Sequence, residues 1–159
     1  LDEAALTTFC SGTDGFVTTF YDQSGNSLDS VNTTASNQPR IVLNGVIDSV
    51  NGKPAILADG VNDNLSIYSI TGTRPYTQFA LYDKIGTSGY FGLGSLSAIC
   101  GWGQNIGTAP FSDLNLFARY QGTSHCNMYM QSYILFDTDE STTNRVPIQD
   151  NINDYYTIY

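Results

Sequence analysis

Tyr76-Thr-Gln-Phe-Ala-Leu-Tyr82 is the stretch on which the fold turns. Side chains on a strand alternate between its two faces. Phe79 and Leu81 fall on one face, Ala80 and Tyr82 on the other, so neither face is polar. A strand of that kind must be covered on both sides, which predicts a central place in its sheet.

Working outward, short apolar runs alternate with turn residues. Toward the N-terminus, Phe16-Val-Thr-Thr-Phe-Tyr21 is β-branched or aromatic throughout and reads as a strand. It stops at Asp22-Gln-Ser-Gly-Asn26, where Asp bonds the backbone ahead of it and Gly accepts positive φ. Arg40–Leu43 and Val46–Val50 read as strands around the hairpin signal Asn44-Gly45, and Asn51-Gly52 repeats that signal before a strand at Pro54–Ala58. Asp59-Gly-Val-Asn-Asp-Asn64 is the next turn, after which Leu65 and Ile67 alternate with Ser66 and Tyr68. Toward the C-terminus, Tyr90–Leu93, Ala98–Trp102 and Met128–Phe136 read as strands. Leu114, Leu116, Ala118 and Tyr120 oppose Asp113, Asn115 and Arg119, with Phe117 breaking the alternation.

Helices are expected only at the ends. Residues 2–9 form one, with Asp2 and Glu3 where negative charge suits the helix dipole. Residues 144–156 form the other, with Ile148, Ile152, Tyr155 and Tyr156 at helical spacing and Pro147 in the first turn. Thr157–Tyr159 is expected to pack back as a strand. About ten short strands with regular turn signals predict one all-β domain over residues 1–159, an antiparallel β-sandwich or jelly roll with short terminal helices.

Composition agrees with that class and excludes others. Of 159 residues, 41% are hydrophobic and 13% charged, about half the usual charged share. The formal charge is −9, and the six cations (Arg40, Lys53, Arg74, Lys84, Arg119, Arg145) are scattered, so nucleic acid and anionic membranes are not expected partners. No apolar run approaches the roughly 18 residues of a membrane span. No signal peptide is visible, and the first residue, Leu1, suggests a processed product or a piece of a longer chain. Cys10, Cys100 and Cys126 are read as three buried thiols in preference to one disulfide and a lone thiol.

Candidate chemistry is sparse. Hydrolysis of a glycoside needs two carboxylates about 5–9.5 Å apart. The only Glu residues, Glu3 and Glu140, lie outside the expected strands, while Asp14, Asp22, Asp29, Asp59 and Asp63 fall in turns and read as turn formers on the solvent side. His125 adjoins Cys126, but neighbours on a strand point apart, which disfavours a thiol–imidazole dyad. A zinc site from these two and the other cysteines lacks close ligand spacing. Asp59 and Asp63 offer oxygen ligands, though the twelfth position of an EF-hand reading is Ile70 rather than Glu. Sugar binding would use aromatic rings with nearby amides. The candidates are Tyr90, then Trp102 with Gln104 and Asn105 in GWGQNIG, then Asn127 with Tyr129. Arg40 and Arg145 read as structural forks. The sequons at Asn32 and Asn64 would matter only in a eukaryotic secretory setting.

Three stretches carry a resemblance. They are Leu1–Phe9 with Gly15–Asn26 and Ser36–Arg40; Val50–Ile56 with Asp59–Asp63; and Asp139–Arg145 with Asn151–Tyr159. Together they resemble the concanavalin A-like lectin/glucanase superfamily in its laminin-G-like form, over nearly the whole chain. Val17–Asn26 also resembles the start of the arabinofuranosidase B catalytic domain, whose catalytic segments have no counterpart here. The resemblance implies the sandwich fold and a structural calcium near its edge, held by Asp59 or Asp63. It further implies a non-catalytic binding or display module. The expected setting is a phage or virus virion surface, as a decoration, head-fibre or tail-fibre domain. Partners there would be host surface glycans or other virion proteins in an oligomeric assembly. An extracellular or bacterial-surface setting is the alternative setting. A glycoside hydrolase or polysaccharide lyase on the same fold, and a purely architectural particle protein, are the alternative functions.

Overall fold

A computed structural model of the chain describes residues 1–67, 77–85, 92–93, 104–105, 114–119, 123–136 and 143–156. In chain order the strands are β1 Gly15–Phe16, β2 Thr19–Phe20, β3 Ser30–Val31, β4 Arg40–Leu43, β5 Val46–Ile47, β6 Ser49–Val50, β7 Lys53–Pro54 and β8 Ile56–Asp59. They continue as β9 Leu65–Ile67, β10 Thr77–Lys84, β11 Gly92–Leu93, β12 Gln104–Asn105, β13 Leu114–Leu116, β14 Ala118–Arg119, β15 Thr123–His125 and β16 Asn127–Phe136. Helix α1 spans Glu3–Phe9, α2 spans Arg145–Tyr156, and a single 3₁₀ turn spans Ala35–Asn37.

Among the described residues, one sheet runs β1-β4-β8-β16-β10-β12 with β5 added on β4, and a second runs β11-β13-β9-β3-β2. Every pairing is antiparallel. The two Asn-Gly signals form hairpins as read. Asn44 and Gly45 take φ of 50° and 82° between β4 and β5, and Asn51 and Gly52 take 50° and 71° between β6 and β7. Two residues at positive φ are what a type I′ turn requires.

The two-faced reading of Tyr76–Tyr82 holds for the described residues, 77–82. β10 is flanked by β16 and β12. Ala80 and Tyr82 face the main core, with Ile56, Ala58, Met128 and Met130 of the same sheet and Leu65, Ile67 and Leu116 of the other. Phe79 and Leu81 face the opposite way and meet Ile148, Ile152 and Tyr156 of α2. Burying Phe79 completely contributes about 1.5–3 kcal/mol relative to leaving it exposed. The C-terminal helix therefore covers the second apolar face of β10.

Several expectations are corrected. Phe16–Tyr21 is not one strand, because its partners change midway. The Val17 N–H donates to the Pro39 carbonyl in the first sheet, and the Thr18 carbonyl accepts from the Asn32 N–H, leading into the second. Val46–Val50 breaks at Asp48, whose N–H donates to the Ile41 carbonyl while its carboxylate holds Arg40. Ser66 is buried rather than outward-facing. Phe117 has φ of 70°, which lets Leu116 and Phe117, adjacent in sequence, both enter the core. Asp2 caps α1 from outside, its Oδ1 accepting from the Ala5 N–H at 2.9 Å. Tyr155 is exposed, with the Lys53 ammonium 4.4 Å from its ring centre. Cys10 and Cys126 are buried thiols; Cys100, Ala98–Trp102 and Thr157–Tyr159 lie outside the described residues.

Gln131 shows why β16 carries a bulge. Between the pairs Leu81–Ser132 and Tyr82–Met130 it has no partner on β10. Its amide instead donates to the carbonyls of Val50 and Lys53, and its carbonyl accepts from the Tyr156 hydroxyl. One extra residue thus ties the β6–β7 hairpin and α2 to the sheet.

Candidate functional site

Register decides which side chains share a surface. Asn127 pairs with Asp59, and Tyr129 with Leu57, while the alternating pairs Met128–Ala58 and Met130–Ile56 enter the core. Leu57 also pairs with Arg40, and Arg40 with Phe16. Alternation then puts Asn127, Tyr129, Asp59, Leu57 and Arg40 on the face turned away from the core. Its other end is closed by α2. The end near Asp59 carries a groove of about 310 Å³ between Phe16, Gln38, Arg40, Leu57, Asp59 and Asp63, with Asp14 at its side.

The walls of this groove are fixed by local chemistry. The Asp59 carboxylate accepts from the Val61 and Asn62 N–H groups, and the Asp63 carboxyl accepts from the Asp59 N–H at 2.9 Å. Gly60 must be glycine, because its φ is +78° and a Cβ there would stand 2.8 Å from Asn127 Cβ. Across from this turn, the Asn32 amide donates to the Asn37 and Asn64 carbonyls, and the Asn62 amide to the Ser36 carbonyl. The Asn64 amide donates to the Asn62 carbonyl, so both sequon nitrogens serve the fold. Asp14 accepts from the Asn44 N–H, Asp22 from the Ser24 N–H, and Asp29 from the Asp22 N–H, as turn formers should.

The groove is acidic. Arg40 is its one described cation and is already paired, with Nε 2.8 Å from Asp48 Oδ2 and Nη2 3.2 Å from Oδ1. Asp63 is not on the solvent side as expected but 7% exposed. Burial, reinforced by the charge and hydrogen bond of Asp59 and opposed by the Asp59 N–H and Arg40, pushes its carboxyl up to about 6. His125, half-buried near Asp59, is held below its ordinary value by burial, against the pull of that carboxylate.

The predicted residues divide as follows. Asp59, Asp63, Asn127 and Tyr129 come together on one face. Gln104 and Asn105 form the edge strand β12 on β10. Tyr90 and Trp102 lie outside the described residues. His125 and Cys126 part as expected, with Cys126 in the core. Arg145 bonds Gln149 on the exposed side of α2 rather than tying a loop. Phe16, Asp14 and Gln38 were missed. Their only signal is the long-range pairing of β1 with β4, which no local pattern shows.

Calcium takes six to eight oxygen ligands. Asp59 Oδ1 and Asp63 Oδ2 are already engaged by N–H donors, and among the described residues no three His, Cys, Asp or Glu side chains gather. The two carboxylates, each serving an N–H of the turn, supply only part of that number.

Comparison with known protein families, curated proteins and solved structures gives no match. Among the described residues no helix is long and apolar enough to cross a membrane.

Proposed function

We propose that the chain is a concanavalin A-like β-sandwich acting as a non-catalytic binding module, and that it takes neutral glycans in the groove beside β1. One observation carries this reading. An exposed ring, Phe16 at 52% exposure, lies in the same groove as the Gln38 amide and the Asp14 and Asp59 carboxylates. A ring can cover the apolar face of a pyranose, and amides and carboxylates can bond its hydroxyls. Core contacts from both sheets support the sandwich. The setting we propose, a virion surface where the module meets host glycans or other virion proteins, rests on the resemblance alone.

The test is a glycan array followed by calorimetry with wild type and Phe16→Ala. Wild type should bind a neutral glycan and the variant should lose at least about tenfold, the scale of one buried aromatic contact. Wild type binding nothing, or the variant binding equally well, refutes the site.

A hydrolase is the competing reading, and one observation favours it: a carboxyl titrating near 6 lies beside a second carboxyl in a groove. Yet both carboxyl groups serve one tight turn, Asp63 accepting from the Asp59 N–H and Asp59 from the Val61 and Asn62 N–H groups, whereas hydrolysis needs two carboxyl groups placed on either side of the sugar. Release of reducing ends from a polysaccharide panel, abolished by Asp63→Asn, would overturn the binding reading.

A further inference from the structure

A second cavity is unrelated to that groove. About 530 Å³ opens between the layers, where β2, β3, β9 and β13 of one sheet face β16 of the other. Phe20, Leu28, Ile67, Leu116, Tyr133 and Leu135 line it. All six belong to the main core or pack against it, so the cavity is the core continued to the surface. That volume lies in the range of small-molecule sites. Its inner wall offers water few partners, and water needs two to four polar contacts to reside in a protein.

The mouth has a different character. It is formed by the loop Asp22–Leu28, which contributes Asp22, Gln23, Ser24 and Asn26, with Ser132 opposite. The loop is held by its own hydrogen bonds. Asp22 accepts from the Ser24 hydroxyl and N–H and from the Leu28 N–H, and Asp29 accepts from the Asp22 N–H. The Ser24 hydroxyl and N–H hold Asp22 below the usual carboxylate range, so it is anionic at neutral pH. Among the described residues that line this cavity there is no Lys, Arg or His. An anionic head would meet the like charge of Asp22, with no cation among the described lining residues to offset it, whereas hydroxyl and amide heads find matching groups.

We propose that this cleft binds one neutral amphiphile, with an aliphatic or aromatic body between the sheets and a hydroxyl or amide head at the Asp22–Asn26 loop. The body takes the place of solvent against the apolar wall. The charge at the mouth selects against carboxylates and sulfonates. Binding here is independent of the sugar groove, which lies on the outer face of the other sheet.

The experiment uses a neutral fluorescent probe, N-phenyl-1-naphthylamine, titrated into the whole chain and displaced by 1-octanol, 1-decanol and 1-dodecanol. Saturable uptake is expected, and each added CH₂ should tighten displacement about fourfold, hence ~15-fold per two carbons, until the cleft is full. Alkanoates of the same lengths at pH 8 should bind at least about tenfold more weakly, because the anionic mouth repels them. Two filling variants, Leu28→Trp in the loop and Leu135→Trp on β16, should each abolish uptake. Either suffices, provided its cooperative unfolding shows that it is folded. Val46→Ser, which removes an exposed apolar side chain that does not line the cleft, should leave uptake unchanged. The proposal is overturned by no saturable uptake in the folded wild type, or by uptake that persists in a folded filling variant. Equal affinity for alkanols and alkanoates overturns the assignment of a neutral head.

Discussion

Replacing Asp63 by Asn should stabilise this protein at neutral pH. Asp63 is 7% exposed and hydrogen-bonded to the Asp59 N–H, and its carboxyl titrates at about 6 instead of 3.8. The folded chain therefore holds a proton that the unfolded chain has already released. The contribution of Asp63 to stability falls as pH rises from about 4 to about 6, and levels off above. A displacement from 3.8 to about 6 corresponds to about 3 kcal/mol at full strength. Asp63 opens onto the groove, so water screens its charge, and about 1–2 kcal/mol is the expected size. Asn preserves an acceptor for the Asp59 N–H, gains a donor toward the Asp59 carboxylate, and carries no charge. The assay is urea unfolding of wild type and Asp63→Asn at half-unit steps from pH 4 to pH 8. Subtracting one curve from the other cancels the remaining titrating groups. The variant should gain on wild type between pH 4 and 6 and stay ahead above that. A difference independent of pH, or a variant less stable at pH 7, would refute the reasoning.

Three further outcomes follow from the same geometry. Gly60→Ala should cost about 2 kcal/mol or more in urea unfolding, from the left-handed conformation and the overlap with Asn127; a cost below half that would mean the turn relaxes freely. Ile152→Ala should cost about 2–5 kcal/mol and speed hydrogen exchange in α2, since Ile152 is the helix residue buried on Phe79 and Leu81. Unchanged exchange would show that α2 is held by other contacts. Adding calcium and then a chelator should leave the unfolding temperature where it was, because Asp59 and Asp63 alone supply too few of the six to eight oxygen ligands the ion takes. A fall on chelation would reinstate the cation suggested by the resemblance.

Local chemistry explains what could be read in advance. The Asn44-Gly45 and Asn51-Gly52 turns need only two residues willing to take positive φ, so their hairpins are legible without any tertiary knowledge. The Asp residues are legible as turn formers for the same reason. Where they lie in depth is not: Asp63 and Asp59 share one turn motif, yet only Asp63 is buried, because the Asn32–Asn37 segment packs over that side. Phe16 looked like any strand aromatic. Its exposure follows from the pairing of β1 with β4, between residues more than twenty positions apart.

The sequence by itself determined the strands of alternating or two-faced apolarity, the turns that separate them and the amphipathic C-terminal helix. Each depends on neighbours within a few residues. Only the tertiary structure decided that Phe16–Tyr21 changes sheets at Thr18, that α2 covers β10, and that Asp59, Asp63, Asn127 and Phe16 meet around one face. Those outcomes depend on which strand lies beside which. Strand pairing is set by the collective burial of a shared core, and no short window of residues contains that information.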